Sequence, residues 1–120
     1  MNYSIKKFPF SRMRRLRMKS FIRNLVSETS ISCNDLIWPV FLVEGENQNQ
    51  KIKSMPFVYR YSIDKLIKEL EILVKYGLQA VALFPQIEKD LKDEKGTNSY
   101  DQNNLICRAI KEIKSFYPDL

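Results

Sequence analysis

The sequence has no histidine, and among its 120 residues it has only two cysteines and three glycines. The two cysteines, Cys33 and Cys107, lie far apart, and neither belongs to a C-x-x-C pair. Tetrahedral zinc sites are built mainly from cysteine and histidine, so we expect no metal site made by this chain alone. Free thiols behave as small hydrophobic groups, and we expect both to be buried.

Long apolar runs are also missing. The longest, residues 36–43, has eight residues and contains Pro39, whereas a membrane-spanning helix needs about 20 apolar residues. We therefore expect no membrane partner. No glycine-rich phosphate loop and no nucleophile elbow occurs, and no lysine ends an apolar strand. The sequence thus predicts no catalytic residues within this chain.

Positive charge is concentrated at the start. Residues 1–27 carry eight basic and no acidic side chains. The remaining residues hold twelve basic and fourteen acidic side chains, so the net charge of +6 belongs to the first segment. Such a segment could bind nucleic acid, serve as an organelle transit peptide, dock on a partner subunit or remain a solvated tail.

Two apolar segments are typical of strands that are covered on both faces. The first spans residues 36–43, and because proline donates no ladder hydrogen bond we expect the regular strand to start at Val40. The second is residues 80–84. Residues 46–61 show no regular pattern and are predicted to be irregular.

Helical spacing of apolar residues recurs in three places. A short helix is predicted from Met13 to about Glu28. A longer one is predicted between Ser62, a good N-cap, and Gly77, a good residue just past a helix end. A third is predicted from Leu105 to Tyr117, where Pro118 stops it.

The order helix, β, α, β, α predicts an α/β fold with parallel strands and helical crossovers. Two parallel strands cannot bury both faces, so we expect the front portion of a (β/α)8 barrel, which needs about 250 residues. We divide the chain into a basic arm with a short helix, residues 1–34, and a partial barrel, residues 35–120. Barrel enzymes place their sites at the carboxyl ends of strands. The candidate site positions are therefore Glu44, Gly45, Phe84 and Pro85.

Several segments, in order and nearly throughout residues 8–120, resemble the porphobilinogen synthase family, also called δ-aminolevulinic acid dehydratase. The matching segments are F-P-x-x-R-x-R-R at 8–15, RNLVSE at 23–28, DLIWPVFLVEG at 35–45, SMP at 54–56, VYR at 58–60, AVALFP at 80–85, KDEKG at 92–96 and FYPDL at 116–120. One departure is Phe57, which stands where the family usually has glycine.

The resemblance implies a TIM barrel that condenses two molecules of 5-aminolevulinate into porphobilinogen, with loss of two waters, on the way to haem. It implies two Schiff-base lysines and a zinc or magnesium ion, all held beyond Leu120, so that this chain alone would be inactive. It also implies a cytoplasmic homo-octamer in which an arm carrying Arg12, Arg14 and Arg15 docks on a neighbouring subunit, and a substrate pocket partly lined by Phe84.

Two other functions stay open on the residues alone. The charge of the first segment fits a small basic nucleic-acid-binding protein. The β-α-β-α order fits the beginning of a different barrel lyase or aldolase.

Overall fold

The computed structural model of the chain describes residues 14–120. The chain divides after Ile31 into two compact units. The described part of the first unit holds a 3-10 turn, Arg15–Arg17, and helix α1, Ser20–Leu25, neither of which has a buried residue. The predicted helix from Met13 to Glu28 is thus shorter than expected, with six α-helical residues, and Met13 lies outside the described residues.

The second unit, Ser32–Leu120, is built on a four-stranded sheet. Its strands are β1 Trp38–Leu42, β2 Asn49–Lys51, β3 Tyr59–Tyr61 and β4 Val81–Pro85. They lie in the order β2-β3-β1-β4. The strand β1 is parallel to β3 and to β4, while β2 is antiparallel to β3. The α/β class with a parallel core is therefore confirmed.

The strand β1 begins at Trp38, so the prediction that it starts at Val40 was wrong. The Trp38 N–H donates to the Ala80 carbonyl of the β4 side at 3.0 Å. Successive residues of a strand turn their N–H groups to opposite sides. The nitrogen of Pro39 therefore faces the β3 side, where pairing starts only at Phe41. The missing donor costs no ladder bond, which is why proline is tolerated here.

The stretch predicted to be irregular contains β2 and β3, so that prediction was also wrong. Each strand has three residues, too few to show an alternating pattern, and β2 is wholly polar and exposed. Their pairing covers the carboxyl-terminal half of one β1 edge, with Phe41 opposite Arg60 and Leu42 opposite Tyr61. The edge of β1 is thus protected locally by a hairpin.

Helix α2, Ile63–Lys75, lies where the apolar stripe predicted it. Ser62 is its N-cap residue and Gly77 follows its end with φ of +92°. A side chain at Gly77 would be strained at that φ and would lie 3.5 Å from the Cys33 Cβ. Glycine therefore allows the chain to leave the helix and enter β4.

Helix α3, Leu105–Phe116, is likewise confirmed, and Asn104 caps it by accepting a hydrogen bond from the Cys107 N–H. The two helices cover the same face of the sheet. Their apolar stripes meet the inward side chains of β1 in one core, whose members are Val40, Leu42, Leu66, Leu70, Leu105, Ala109 and Ile113.

The two faces of the sheet differ sharply. Val40 and Leu42 point to the helices and are almost fully buried. Side chains alternate along a strand, so Phe41 and its neighbour Phe84 lie on the opposite face. Phe84 is 48% exposed. No element of residues 32–120 covers this face.

The expectation of two buried thiols was wrong. Cys33 is exposed and Cys107 is only partly buried, and both are free. The Cys33 thiol donates to the Tyr76 carbonyl at 3.1 Å, and so satisfies an acceptor at the end of α2. Among residues 14–120, no helix is both long and apolar enough to span a bilayer.

Candidate functional site

The carboxyl ends of β1 and β4 lie side by side, because Leu42 pairs with Pro85. Glu44 and Gly45 follow directly after β1, and Gly45 has φ of +101°. The Glu44 carboxylate forms an ion pair with Arg108 of α3. This contact ties the end of β1 to the helix that follows β4.

Phe84 lies on the uncovered face and is the last residue but one of β4. Its ring stacks on that of Phe41 with a centroid distance of 5.6 Å and an interplanar angle of 32°. The two inclined rings make a continuous apolar surface, and its Phe84 side is exposed to solvent. Such a surface can form one wall of a pocket.

A cleft of about 410 Å³ opens at the same edge, between the segment after β4 and the start of α3. Its apolar lining comes from Pro85, Ile87, Leu91, Leu105 and Ile106. Acidic, amide and hydroxyl groups form the remaining lining, at Glu44, Gln86, Glu88, Asn98, Ser99, Asp101, Asn103 and Asn104. No lysine or arginine lines it. Arg108 bonds to Glu44 and to the Asn103 carbonyl at one side of the cleft. The cleft can therefore hold a small group that has both an apolar and a polar part.

A polar cluster fixes the segment between β1 and β2. The buried Ser62 hydroxyl accepts from the Gln48 N–H at 2.9 Å and donates to Asp64 at 2.5 Å. Asp64 also accepts the Asn47 N–H at 3.1 Å. The hydrogen bond from Ser62 is the main reason that the pKa of Asp64 lies below its ordinary value. Ser62 thus holds a loop, and its side chain makes no cap bond to α2.

The segment between β4 and α3 is held by a second carboxylate. Asp93 accepts hydrogen bonds from the side chain of Thr97 and, at 2.8 Å, from its N–H. These bonds lower the pKa of Asp93. Gly96 adopts φ of +64° in the turn between them. Asp93 therefore serves here to shape a loop.

Among the described residues we find neither a metal-binding cluster nor a lysine activated for covalent catalysis. They gather no group of three or more histidine, cysteine, aspartate or glutamate side chains fit for a metal ion. The pKa of Lys75 is raised, because Glu71 accepts its hydrogen bond and is negatively charged, whereas a Schiff-base lysine needs a lowered pKa. The site as described can bind and orient a ligand.

Of the arm residues predicted to dock on another subunit, Arg12 lies outside the described residues. Arg14 and Arg15 are exposed. Apolar side chains alternate with them and are also exposed, at Leu16, Met18, Phe21 and Leu25. The first unit therefore presents a surface that is both basic and apolar.

Two residues of the site were missed by sequence reasoning. Phe41 could have been predicted as a site residue from the sequence. It lies one residue before the end of β1, and its side chain points to the same face as that of Pro39, two residues earlier. Arg108 gave no signal, since a lone arginine on an amphipathic helix is usually solvated. Its pairing with Glu44, 64 residues away, depends on the tertiary fold.

A sheet with a parallel core, helices on one face, an open opposite face and a cleft at the carboxyl ends of its parallel strands is typical of the α/β proteins built from βα units. The family model for delta-aminolevulinic acid dehydratase matches residues 10–120. The chain belongs to this family.

Relatives that carry this family's name are similar to the chain in sequence. The protein of Chlamydia pneumoniae is 48% identical over 91% of this chain, and that of Methanothermus sociabilis is 47% identical over 90%. A crystal structure from Toxoplasma gondii, porphobilinogen synthase in complex with the reaction product porphobilinogen, superposes with a TM-score of 0.82 at 35% identity over 92% of this chain. The chain spans 33% of the length of the two sequence relatives and 31% of the Toxoplasma chain.

Proposed function

We propose that residues 35–120 form the first two βα units of a TIM-barrel porphobilinogen synthase, which joins two 5-aminolevulinate molecules with loss of two waters. The observation that carries the proposal is the asymmetry of the sheet. Helices α2 and α3 cover one face, while the other, with Phe41 and Phe84, is left open. In a barrel the helices form the outer ring and the opposite face lines the interior.

Within that enzyme we assign Phe84 to the wall of the substrate pocket. It lies one residue before the end of β4, and barrel sites are built at that edge. Its stacking on Phe41 fixes the ring, so the exposed side is preorganised to pack against the carbon chain of a substrate. Excluding water beside a reacting carbonyl strengthens the polar contacts made there.

The Schiff-base lysines and the zinc or magnesium ion of the family would come from polypeptide beyond Leu120. The described residues bring no metal-binding set together, so no step of the reaction is assigned to a metal here. The 120-residue chain is accordingly proposed to be inactive alone.

The first unit is proposed to dock on a neighbouring subunit of a homo-octamer in the cytoplasm. Nucleic-acid backbones attract basic side chains but give no reason for the exposed apolar ones among them. Phe21 is 64% exposed and Leu25 is 82% exposed. A protein surface can cover both kinds of side chain at once, which favours a subunit over a nucleic acid as the partner.

A chimera tests the proposal. Residues 10–120 replace the matching third of the Chlamydia pneumoniae relative, and porphobilinogen formation from 5-aminolevulinate is measured. We expect the chimera to form porphobilinogen and the purified 120-residue chain to form none. A chimera that folds and assembles but makes no product would overturn the proposed function, and turnover by the 120-residue chain would overturn its proposed incompleteness.

A further inference from the structure

One row of paired residues crosses the uncovered face of the sheet near its carboxyl edge. Arg60 of β3 is opposite Phe41 of β1, which in turn is opposite Phe84 of β4. Residues paired in this way share a face of the sheet. Tyr61, next to Arg60, packs on the helix-covered core, so side-chain alternation also places Arg60 on the uncovered face. The row is therefore aromatic at β4 and β1 and basic at β3.

Arg60 has no acidic partner in this chain. The residue is partly buried, and its guanidinium forms no ion pair with any of residues 14–120. Residues 1–13 contain neither aspartate nor glutamate, so they hold no acidic side chain that could pair with it. An acidic side chain that pairs with Arg60 in this fold therefore has to come from other polypeptide.

The edge of β1 beside Arg60 is only half occupied. The strand β3 pairs with β1 at Phe41 and Leu42, and the residues of β1 before Phe41 pair with no described strand on that side. In a closed (β/α)8 barrel, β1 needs a second barrel strand along this edge, in addition to β4 on the other. That strand has to approach β1 directly next to β3, which brings its side chains close to Arg60.

Closure of the proposed barrel would withdraw Arg60 from water, because the uncovered face becomes the inner face and barrel interiors are filled by side chains. A buried charge is costly unless it is paired and hydrogen-bonded. A substrate carboxylate would leave Arg60 unpaired whenever the site was empty. An acidic side chain of the barrel itself is present all the time and is therefore the better partner.

We propose that Arg60 forms an ion pair with an aspartate or glutamate of the polypeptide that closes the barrel against β1. This inference rests on the proposed function and adds to it a contact that holds the barrel closed. A guanidinium can donate to both oxygens of one carboxylate, which fixes orientation as well as distance. The ion pair ties the hairpin of β2 and β3 to the closing strand.

The Chlamydia chimera supplies the additional polypeptide and tests the ion pair. Arg60→Met removes the charge and keeps an unbranched side chain. In the chimera it should raise the equilibrium constant for unfolding in urea about 100-fold or more, at fixed protein concentration, because a buried carboxylate loses its partner. In the 120-residue chain, which lacks that carboxylate, the change should stay below about threefold. Equal changes in the two proteins would overturn the proposal.

The matched control is Lys51→Met. Lys51 lies in the same hairpin and pairs with Tyr59, so its side chain is on the opposite face of the sheet from that of Arg60. The substitution removes the same charge, and we expect it to change the unfolding constant by less than about threefold in both proteins. A change in the chimera as large as that of Arg60→Met would assign the effect to the charge of the hairpin and contradict the ion pair.

Double-mutant cycles identify the acidic partner. Each aspartate or glutamate of the Chlamydia portion is neutralised to its amide, alone and together with Arg60→Met. One acid should be coupled to Arg60 by about tenfold or more in the unfolding constant. Arg60→Lys, which keeps the charge but not the planar fork, should retain part of this coupling.

The cycles can also refute the proposal. The absence of a coupled acid in the Chlamydia portion would overturn it, and coupling only to an acid of residues 14–120 would place the partner in this chain or a second copy of it. A higher KM for 5-aminolevulinate in the Arg60→Met chimera, without any coupled acid, would assign Arg60 to the substrate and refute the proposed partner. Because the cycles measure unfolding, a folded chimera that forms no product would overturn the proposed function alone.

Discussion

The ring of Phe41 lies 5.6 Å from that of Phe84, on the one face of the sheet that neither α2 nor α3 covers. The two residues come from paired positions of adjacent parallel strands. Strand alternation places both rings on the face where we propose the substrate pocket. A mutation of Phe84 should therefore have two effects that can be measured apart, one on stability and one on substrate binding.

Replacing Phe84 by alanine is expected to cost about 1 kcal/mol of unfolding free energy, because a stacked aromatic pair is worth roughly 0.5–1.5 kcal/mol beyond burial. In the Chlamydia chimera the same change should raise the KM for 5-aminolevulinate. Urea unfolding and steady-state kinetics provide the two measurements.

The matched control is Phe116→Ala. Phe116 is 59% exposed and its ring lies 6.4 Å from that of Tyr117, at the end of α3. We expect a similar loss of stability without a change in KM. An unaltered KM in the Phe84 variant would remove Phe84 from the pocket wall.

Leu70 is the sharpest test of the core. It is fully buried between α2 and the sheet. Leu70→Ala should lower the unfolding free energy by about 2–5 kcal/mol, since it removes buried methyl groups and leaves a cavity. Ile72→Ala, two residues away on the same helix and 54% exposed, should cost less than about 1 kcal/mol. Equal losses at the two positions would contradict the burial described here.

Ser62 provides a prediction about pH. Ser62→Ala leaves the Gln48 N–H without its side-chain acceptor, at a cost of about 1–3 kcal/mol. It should also bring the pKa of Asp64 back towards its ordinary value of 3.8, because the hydrogen bond from Ser62 is the largest cause of the lowering. An NMR titration of the Asp64 carboxyl carbon measures this directly.

The sign of the stability effect follows from the lowered pKa. In the folded natural chain Asp64 stays ionised to a lower pH than in the unfolded chain. It therefore contributes stability above its ordinary pKa of 3.8, and this contribution is lost as the pH falls through the folded pKa. The Ser62→Ala variant should lose less stability over that interval. A parallel decline in both proteins would show that Asp64 does not depend on Ser62.

Phe57 has φ of +64° and is 91% exposed, and Phe57→Gly should raise the stability of the isolated monomer by up to about 1 kcal/mol. Positive φ costs a non-glycine residue roughly 1–2 kcal/mol, and the greater freedom of glycine in the unfolded chain offsets part of the gain. Phe57→Ala, which keeps a Cβ, should give no such gain. Thermal unfolding at low protein concentration compares the three chains, and a gain in the alanine variant equal to that of glycine would assign the effect to the exposed ring.

The long elements could be predicted because their patterns extend over several turns. Ile63, Leu66 and Leu70 repeat on one face of α2 between two good boundary residues. By contrast, β2 and β3 were missed because three residues do not establish a period. The start of β1 was misplaced because the side to which Pro39 turns its nitrogen depends on the neighbouring strand.

The candidate site was only partly accessible from sequence. Strand ends indicated Glu44 and Phe84, since parallel strands bring their carboxyl ends together. The acidic cleft and the partner of Glu44 come from the folding of residues 86–104 against α3. That segment is polar and aperiodic, so its hydrogen bonds, such as Asp93 with Thr97, set a shape that no spacing rule encodes.

The one-sided cover of the sheet has a consequence for biosynthesis. All members of the helix-covered core precede residue 117, so this core can form on the ribosome as soon as α3 has emerged. The opposite surface, with Phe41 and Phe84, and the edge of β4 that pairs with no described strand are then exposed to solvent. In the proposed barrel this surface is covered only after further strands have been synthesised, and until then we expect it to bind chaperones that recognise exposed apolar side chains.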